Sequence, residues 1–131
     1  MKKLRGYIFS RPFLGERAPQ HIQNLVLREY CIRMNFHYLL SFVEYRFEDS
    51  SLMLEQALNE LNKTDGIIFY SIFQMPHEDN ARKLIYKKIL DKKKEIHFAV
   101  EEIKVKNIKD AEQAENIYLI KKTLPSCLEK I

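Results

Sequence analysis

Gly6-Tyr-Ile-Phe-Ser-Arg-Pro-Phe-Leu-Gly-Glu-Arg-Ala-Pro-Gln-His-Ile-Gln-Asn24 begins as an apolar strand, breaks into a loop with one glycine and two prolines, and ends in the first turn of a helix. The loop gathers a hydroxyl, two guanidiniums and a carboxylate: Ser10, Arg11, Arg17 and Glu16. An apolar strand that opens into polar groups just before a helix is how an α/β protein builds a ligand site. The strand spans residues 4–9. The helix runs from Ala18 or Pro19 to Met34, and Pro19 suits a first-turn position, where a missing N–H costs nothing. Ile22, Leu25, Val26 and Ile32 recur at helical spacing, with Glu29 as the exception, and predict its buried stripe.

The same alternation continues outward. Residues 37–45 read as a second strand whose near-continuous apolar run predicts burial on both faces. Asp49-Ser-Ser51 offers N-cap side chains for a helix over 52–61. Thr64-Asp-Gly66 is a turn, and Ile67-Ile-Phe-Tyr70 is the clearest buried strand in the chain. It opens into a second polar loop, Ser71-Ile-Phe-Gln-Met-Pro76, before a third helix with Ala81, Leu84, Ile85 and Ile89 as its apolar stripe. A fourth strand covers 95–100, and 103–105 extends it or forms a short extra strand. A last helix covers 110–121 and stops at Pro125, leaving 124–131 a loosely held tail. The order β-α-β-α-β-α-β-α predicts one α/β domain over 1–131, a three-layer sandwich with a mainly parallel sheet of four to five strands and helices on both faces.

Composition sets bounds on function. The 131 residues suit a single domain, and 46% hydrophobic with 31% charged residues is ordinary globular usage. No apolar run is long enough to span a bilayer, and no secretory signal pattern opens the chain. Two cysteines, Cys31 and Cys127, make no disulfide framework, so a reducing cytoplasm is the expected location. The net charge of +4 is mild. The densest basic run, Lys87-Lys88 with Lys92-Lys-Lys94, falls at a helix end, where cations suit the dipole, and reads as a solvated helix end. Nucleic acid therefore ranks last among partners. His37, His77 and His97 show no metal-ligand spacing to one another or to a Cys, so no metal is expected. No Gly-x-x-x-x-Gly-Lys loop and no Gly-rich dinucleotide fingerprint occurs, so no other cofactor is expected either.

With the common strand order 2-1-3-4, the loops after strands one and three flank one crevice. Ser10, Arg11, Glu16 and Arg17 then approach Ser71 and Gln74. Glu44 joins from the second strand, and Gln20, His21 and Asn24 from the first helix. Arg11 and Arg17 can each grip a carboxylate or phosphate with paired donors, so a small anionic ligand is expected. Ser10 as nucleophile and Glu44 or His21 as proton carrier complete a candidate catalytic set. Each has a plainer reading as cap, strand-end or surface residue.

Two family resemblances follow from these segments. Gly6-Tyr7 followed by Ser10 and a Gln-bearing helix distantly resembles the catalytic domain of serine recombinases, the resolvase/invertase group. No Arg stands between Tyr7 and Ser10, and Asp49-Ser-Ser-Leu-Met-Leu-Glu55 lacks the family's Arg. Ser71-Ile-Phe-Gln-Met-Pro76 replaces Asp-Arg-Leu-Gly-Arg. The resemblance thus implies the fold without strand exchange. Arg5-Gly-Tyr, Ser10-Arg-Pro-Phe, Pro19-Gln-His-Ile-Gln-Asn-Leu-Val, His37-Tyr-Leu-Leu-Ser, Leu52-Met-Leu-Glu-Gln, Asp65-Gly-Ile, Tyr70-Ser and Pro76 resemble the sporadic carbohydrate cluster proteins of surface-polysaccharide gene clusters. That resemblance implies a role in making or modifying a carbohydrate and carries no reaction with it. Joined to the polar strand-end cluster, it makes an enzyme of surface-polysaccharide or activated-sugar biosynthesis acting on an anionic sugar the leading expectation, with the reaction type open. The alternatives are a non-catalytic partner of another polysaccharide enzyme and, last, a degenerate recombinase-like nucleic-acid binder. A homo-oligomer fits any of them.

Overall fold

The computed structural model describes residues 1–10, 18–44 and 52–129, with side chains through residue 120. In chain order the elements are β1 (Lys3–Phe9), α1 (Gln20–Arg33), β2 (His37–Glu44), α2 (Leu52–Asn59), β3 (Gly66–Phe69), α3 (Asp79–Asp91), β4 (Glu95–Phe98), β5 (Ile103–Val105) and α4 (Ile108–Glu129). Single 3-10 turns at Leu61–Lys63 and Ile72–Gln74 precede and follow β3. The sheet order is β2-β1-β3-β4-β5. The first four strands are parallel, and β5 pairs antiparallel with β4. The α/β sandwich with order 2-1-3-4 is as the alternation predicts, and 103–105 is the extra strand.

The two faces are unequally covered. Leu54, Ala57 and Leu58 of α2, Ile85, Tyr86 and Ile89 of α3, and Ala111, Ala114 and Tyr118 of α4 build one core with Tyr7, Phe9, Ile67, Phe69, Ile96 and Phe98. On the other face α1 contributes Leu27, Tyr30 and Cys31 against Leu4, Ile8 and Ile68. Cys31 is a free, buried thiol.

Four expectations need correction. The buried stripe of α1 is Gln23, Leu27, Tyr30 and Cys31, while Ile22, Leu25 and Ile32 face outward. The helix carries two apolar stripes, and the one that folds inward is anchored by a polar residue that hydropathy does not single out. In α3, Leu84 is likewise exposed and Arg82 takes the buried place. Strand β2 lies at the sheet edge and is only half-buried, since it has one neighbour. Helix α4 also runs through Pro125, whose ring forgoes one i→i−4 bond near the helix end.

Gly66 fixes where β3 meets β4. A Cβ at this position would stand 2.2 Å from the Glu95 carbonyl oxygen, a backbone atom that cannot swing aside. Gly66→Ala is expected to lower stability by about 3 kcal/mol through forced separation of the strands. The midpoint of urea unfolding measures it.

Candidate functional site

The carboxyl ends of β1 and β3 are adjacent strands' ends, as the order requires, and one side chain binds them. Gln23 of α1 is fully buried. Its Nε2 donates to the carbonyls of Phe9 (2.9 Å) and Ala18 (2.8 Å). Its Oε1 accepts from Phe9 N–H (3.1 Å) and from Gln74 Nε2 (2.8 Å). Gln74 in turn accepts from Tyr70 N–H. Both strand ends are thereby capped by an amide-to-amide bridge. Burial of these groups is tolerated because each is paired.

Glu44, at the end of β2, is fully buried. Its carboxylate accepts from the Tyr7 hydroxyl (2.8 Å) and from the N–H groups of Met53 and Leu54 (3.2 and 3.3 Å). It thus holds the N-terminus of α2, where a carboxylate opposes the positive end of the helix dipole. Ser10 donates its hydroxyl to the Glu44 backbone carbonyl at 2.6 Å. Ser71 donates to Glu101 (2.9 Å) and caps the 3-10 turn by accepting from Phe73 N–H. Glu101 also accepts from Ile72 N–H (2.8 Å).

The expected site residues therefore fall into groups. Ser10 and Glu44 meet, and Gln74 meets the first helix through Gln23. Ser71 turns toward Glu101. Asn24 accepts from the Tyr38 hydroxyl (2.7 Å) of β2. Gln20 and His21 are exposed on the first turn of α1. Arg11, Glu16 and Arg17 lie outside the described residues. Gln23 and Glu101 were not singled out from the sequence. The signal for Gln23 was its spacing of four from Leu27, which puts both on one helix face.

Three of the described arginines are bonded away from the strand ends, and the fourth, Arg28, lies 6.0 Å from the Tyr38 ring centroid. Arg5 donates to the Leu40 carbonyl and lies over the Phe42 ring. Arg33 pairs with Glu102 and Glu29. Arg82, fully buried, bonds Glu115, Asp79 and the carbonyls of Pro76 and His77, and stacks 3.9 Å from the Tyr118 ring centroid. Among the described residues no group of three or more His, Cys, Asp or Glu is placed to hold a metal ion. None of their helices is long and apolar enough to cross a membrane.

A second buried polar chain lies under α1. The Tyr30 hydroxyl bonds His97 Nδ1 (2.8 Å), and His97 Nε2 bonds Glu95 (2.8 Å), which also pairs with Lys2. With Nε2–H donating to the carboxylate, Nδ1 accepts from Tyr30 and the ring is satisfied as neutral imidazole. Burial lowers the His97 pKa, and nearby Lys104 and Lys106 push the same way, against the pull of Glu95. Burial alone raises the Glu95 carboxyl, but the bonds from Lys2 and His97 outweigh it and leave it below its ordinary value. Both folded pKa values are depressed, so both groups contribute stability at neutral pH that acid removes. Stability is expected to fall as pH drops below the ordinary imidazole value of 6.5, and again below the ordinary carboxyl value of 4.5. In His97→Gln the first decline should be absent, as urea unfolding across the pH range would show.

Exposed lysines concentrate on α3 and the turn after it. Lys83, Lys87, Lys88, Lys92 and Lys93 are exposed and Lys94 half-buried, with Asp91 the one acid among residues 83–94. The whole chain nets only +4, so this segment carries more positive charge than the protein as a whole.

No family model matches the sequence, and no curated protein matches it. Solved structures do. The N-terminal catalytic domain of TP901-1 integrase is similar with a TM-score of 0.60 and 14% identity, over 94% of this chain and 98% of that one. A resolvase family site-specific recombinase from Streptococcus pneumoniae is similar with a TM-score of 0.65 and 8% identity, over 97% of both chains. These neighbours overturn the expected role in surface-polysaccharide or activated-sugar biosynthesis, and nothing found supports the sporadic carbohydrate cluster family, a sugar ligand or polysaccharide-enzyme partners. The distant resemblance to serine recombinases is borne out for the fold: the chain is a single resolvase-like α/β domain with a five-stranded, mostly parallel sheet.

Proposed function

We propose that this chain is a resolvase-like domain that binds the phosphate backbone of duplex nucleic acid without cutting it, in the cytoplasm. The observation that carries the reading is the lysine face of α3. From Lys83 to Lys88 the helix rises about 8 Å, which matches about two phosphates along one strand of a duplex, and Lys92 and Lys93 continue the charge in the turn that follows. The structural neighbours, named as a site-specific recombinase and an integrase catalytic domain, make nucleic acid the natural polyanion.

The absence of cutting is supported by Ser10. Its proton is directed at the Glu44 carbonyl rather than at a base, and the Glu44 carboxylate is spent on Tyr7 and the α2 amides. Phosphoryl transfer needs donors aimed at the developing charge, and the guanidiniums of Arg5, Arg33 and Arg82 are held elsewhere, while Arg28 lies over the Tyr38 ring.

The test is incubation with supercoiled and linear duplex DNA, followed by denaturing electrophoresis and by fluorescence anisotropy. Binding is expected with no nick and no covalent protein–DNA adduct, and Ser10→Ala should bind as the parent does. An adduct that vanishes in Ser10→Ala would contradict the non-cutting reading. No binding even at low salt would contradict the nucleic-acid reading.

A further inference from the structure

Helix α1 covers its face of the sheet alone among the described helices. It closes Leu27, Tyr30 and Cys31 on Leu4, Ile8 and Ile68, a smaller core than the one under α2, α3 and α4. Polar pins hold it at two points. Gln23 ties its first turns to the strand ends through four hydrogen bonds. Towards its C-terminus the Tyr30 hydroxyl meets His97 of β4, and Arg33 reaches Glu102. We propose that the C-terminal half of α1, from Leu27 to Arg33, is a flap that opens locally in mild acid, with His97 as its latch.

The directions of the hydrogen bonds make the latch sensitive to one proton. Neutral His97 donates from Nε2 to Glu95, which leaves Nδ1 to accept from Tyr30. A second ring proton turns Nδ1 into a donor. Tyr30 must then accept, and its own proton is left in a buried place with no other partner among the described residues. A buried donor without an acceptor costs its full desolvation. The new charge is also enclosed, with the rings of Phe36 and Tyr30 centred 4.9 and 5.6 Å from the imidazole. Lys104 and Lys106 repel it, and the carboxylate of Glu95 that attracts it is already shared with Lys2. In the open flap water solvates both His97 and Tyr30, so protons favour the open form.

The other groups around the latch keep their charge in this window. Burial pushes Tyr30 up to about 12 and Cys31 up to about 11, so both stay neutral. Glu95, held below its ordinary value, stays ionised. Arg33 and Glu102 remain paired but are 49% and 62% exposed, and a solvated pair holds the helix only weakly once the latch is lost. Global unfolding exposes His97 too, so a decline in overall stability with acid is common to both events. What marks a flap is an opening that exposes little surface, and therefore depends little on denaturant. The flap lies on the opposite face of the sheet from α3, and its test is independent of nucleic acid.

Cys31, 1% exposed and next to Tyr30, reports the opening. In full-length chain carrying Cys127→Ser, its rate of reaction with dithiodipyridine is divided into that of the urea-unfolded chain at the same pH, which cancels the titration of the thiol. This protection should fall about fivefold from about pH 7.5 to about pH 5.5, across the ordinary imidazole value of 6.5. At the lower pH it should hardly change up to about 1 M urea, while the amides of α3, followed by hydrogen exchange, lose protection with the full slope of global unfolding. His97→Gln should remove the pH dependence. Should that variant fail to fold, Tyr30→Phe decides, because it lacks the hydroxyl that protonation strands. Its Cys31 protection should start lower and fall less. Protection of Cys31 that ignores pH would overturn the proposal, as would a urea dependence as steep as that of α3. A fall undiminished in the His97 or Tyr30 variant would overturn it equally.

Discussion

Arg82→Ala is expected to lower the free energy of unfolding by about 3–5 kcal/mol, the largest loss for any single side chain described. The guanidinium is fully buried between α3 and α4. Burial works against its charge, and the bonds it donates to Glu115 outweigh that, so its pKa stands above the ordinary value. Truncation would leave Glu115, only 16% exposed, without its cation, and would orphan the carbonyls of Pro76 and His77. It would also empty the face of Tyr118. Asp79 is mostly solvated and loses less. The double variant Arg82→Met with Glu115→Leu removes both buried charges, so it should recover most of the loss. Urea unfolding of the three proteins measures the difference. A loss below about 1 kcal/mol for Arg82→Ala would mean that the pair is solvated and contributes as a surface bridge does.

Replacing Lys83, Lys87 and Lys88 together by Gln is expected to weaken duplex DNA binding about 100-fold at about 0.1 M salt, or about 2.7 kcal/mol. All three lie on the exposed face of α3. None of them appears in the hydrogen bonds that close the strand ends. Each phosphate contact releases condensed counterions, so the slope of log K against log salt should flatten by about 3. Stability should change by less than about 0.5 kcal/mol, because surface charges away from a network contribute little. The same triple change on a domain that bound through its strand-end loops would leave both the affinity and the slope nearly as they were.

The fold was legible because strand and helix periods alternate cleanly and β3 is an unbroken apolar run. Boundaries and faces were less so, for reasons tied to particular residues. Helix α1 has apolar residues on two sides, and hydropathy alone chose the wrong one. The deciding residue, Gln23, is polar and is buried because four hydrogen bonds satisfy it. Arg82 hides in α3 for a similar reason, since its partner Glu115 is 33 residues away. The meeting of the β1 and β3 ends followed from topology. That Glu44 and Ser71 hold backbone turns there depends on the distant partners Tyr7, Leu54 and Glu101. The basic run at the end of α3 was visible, but Lys83 joins it only when the exposed face is known.

Lysine acetylation of the protein alone and bound to duplex DNA, mapped by mass spectrometry, tests most directly where the ligand sits. Lys83, Lys87, Lys88, Lys92 and Lys93 should be protected by DNA, while Lys63, Lys104 and Lys109, exposed on other elements, should react as before. Protection spread evenly over all lysines, or absent from α3 while DNA is bound, would contradict the account.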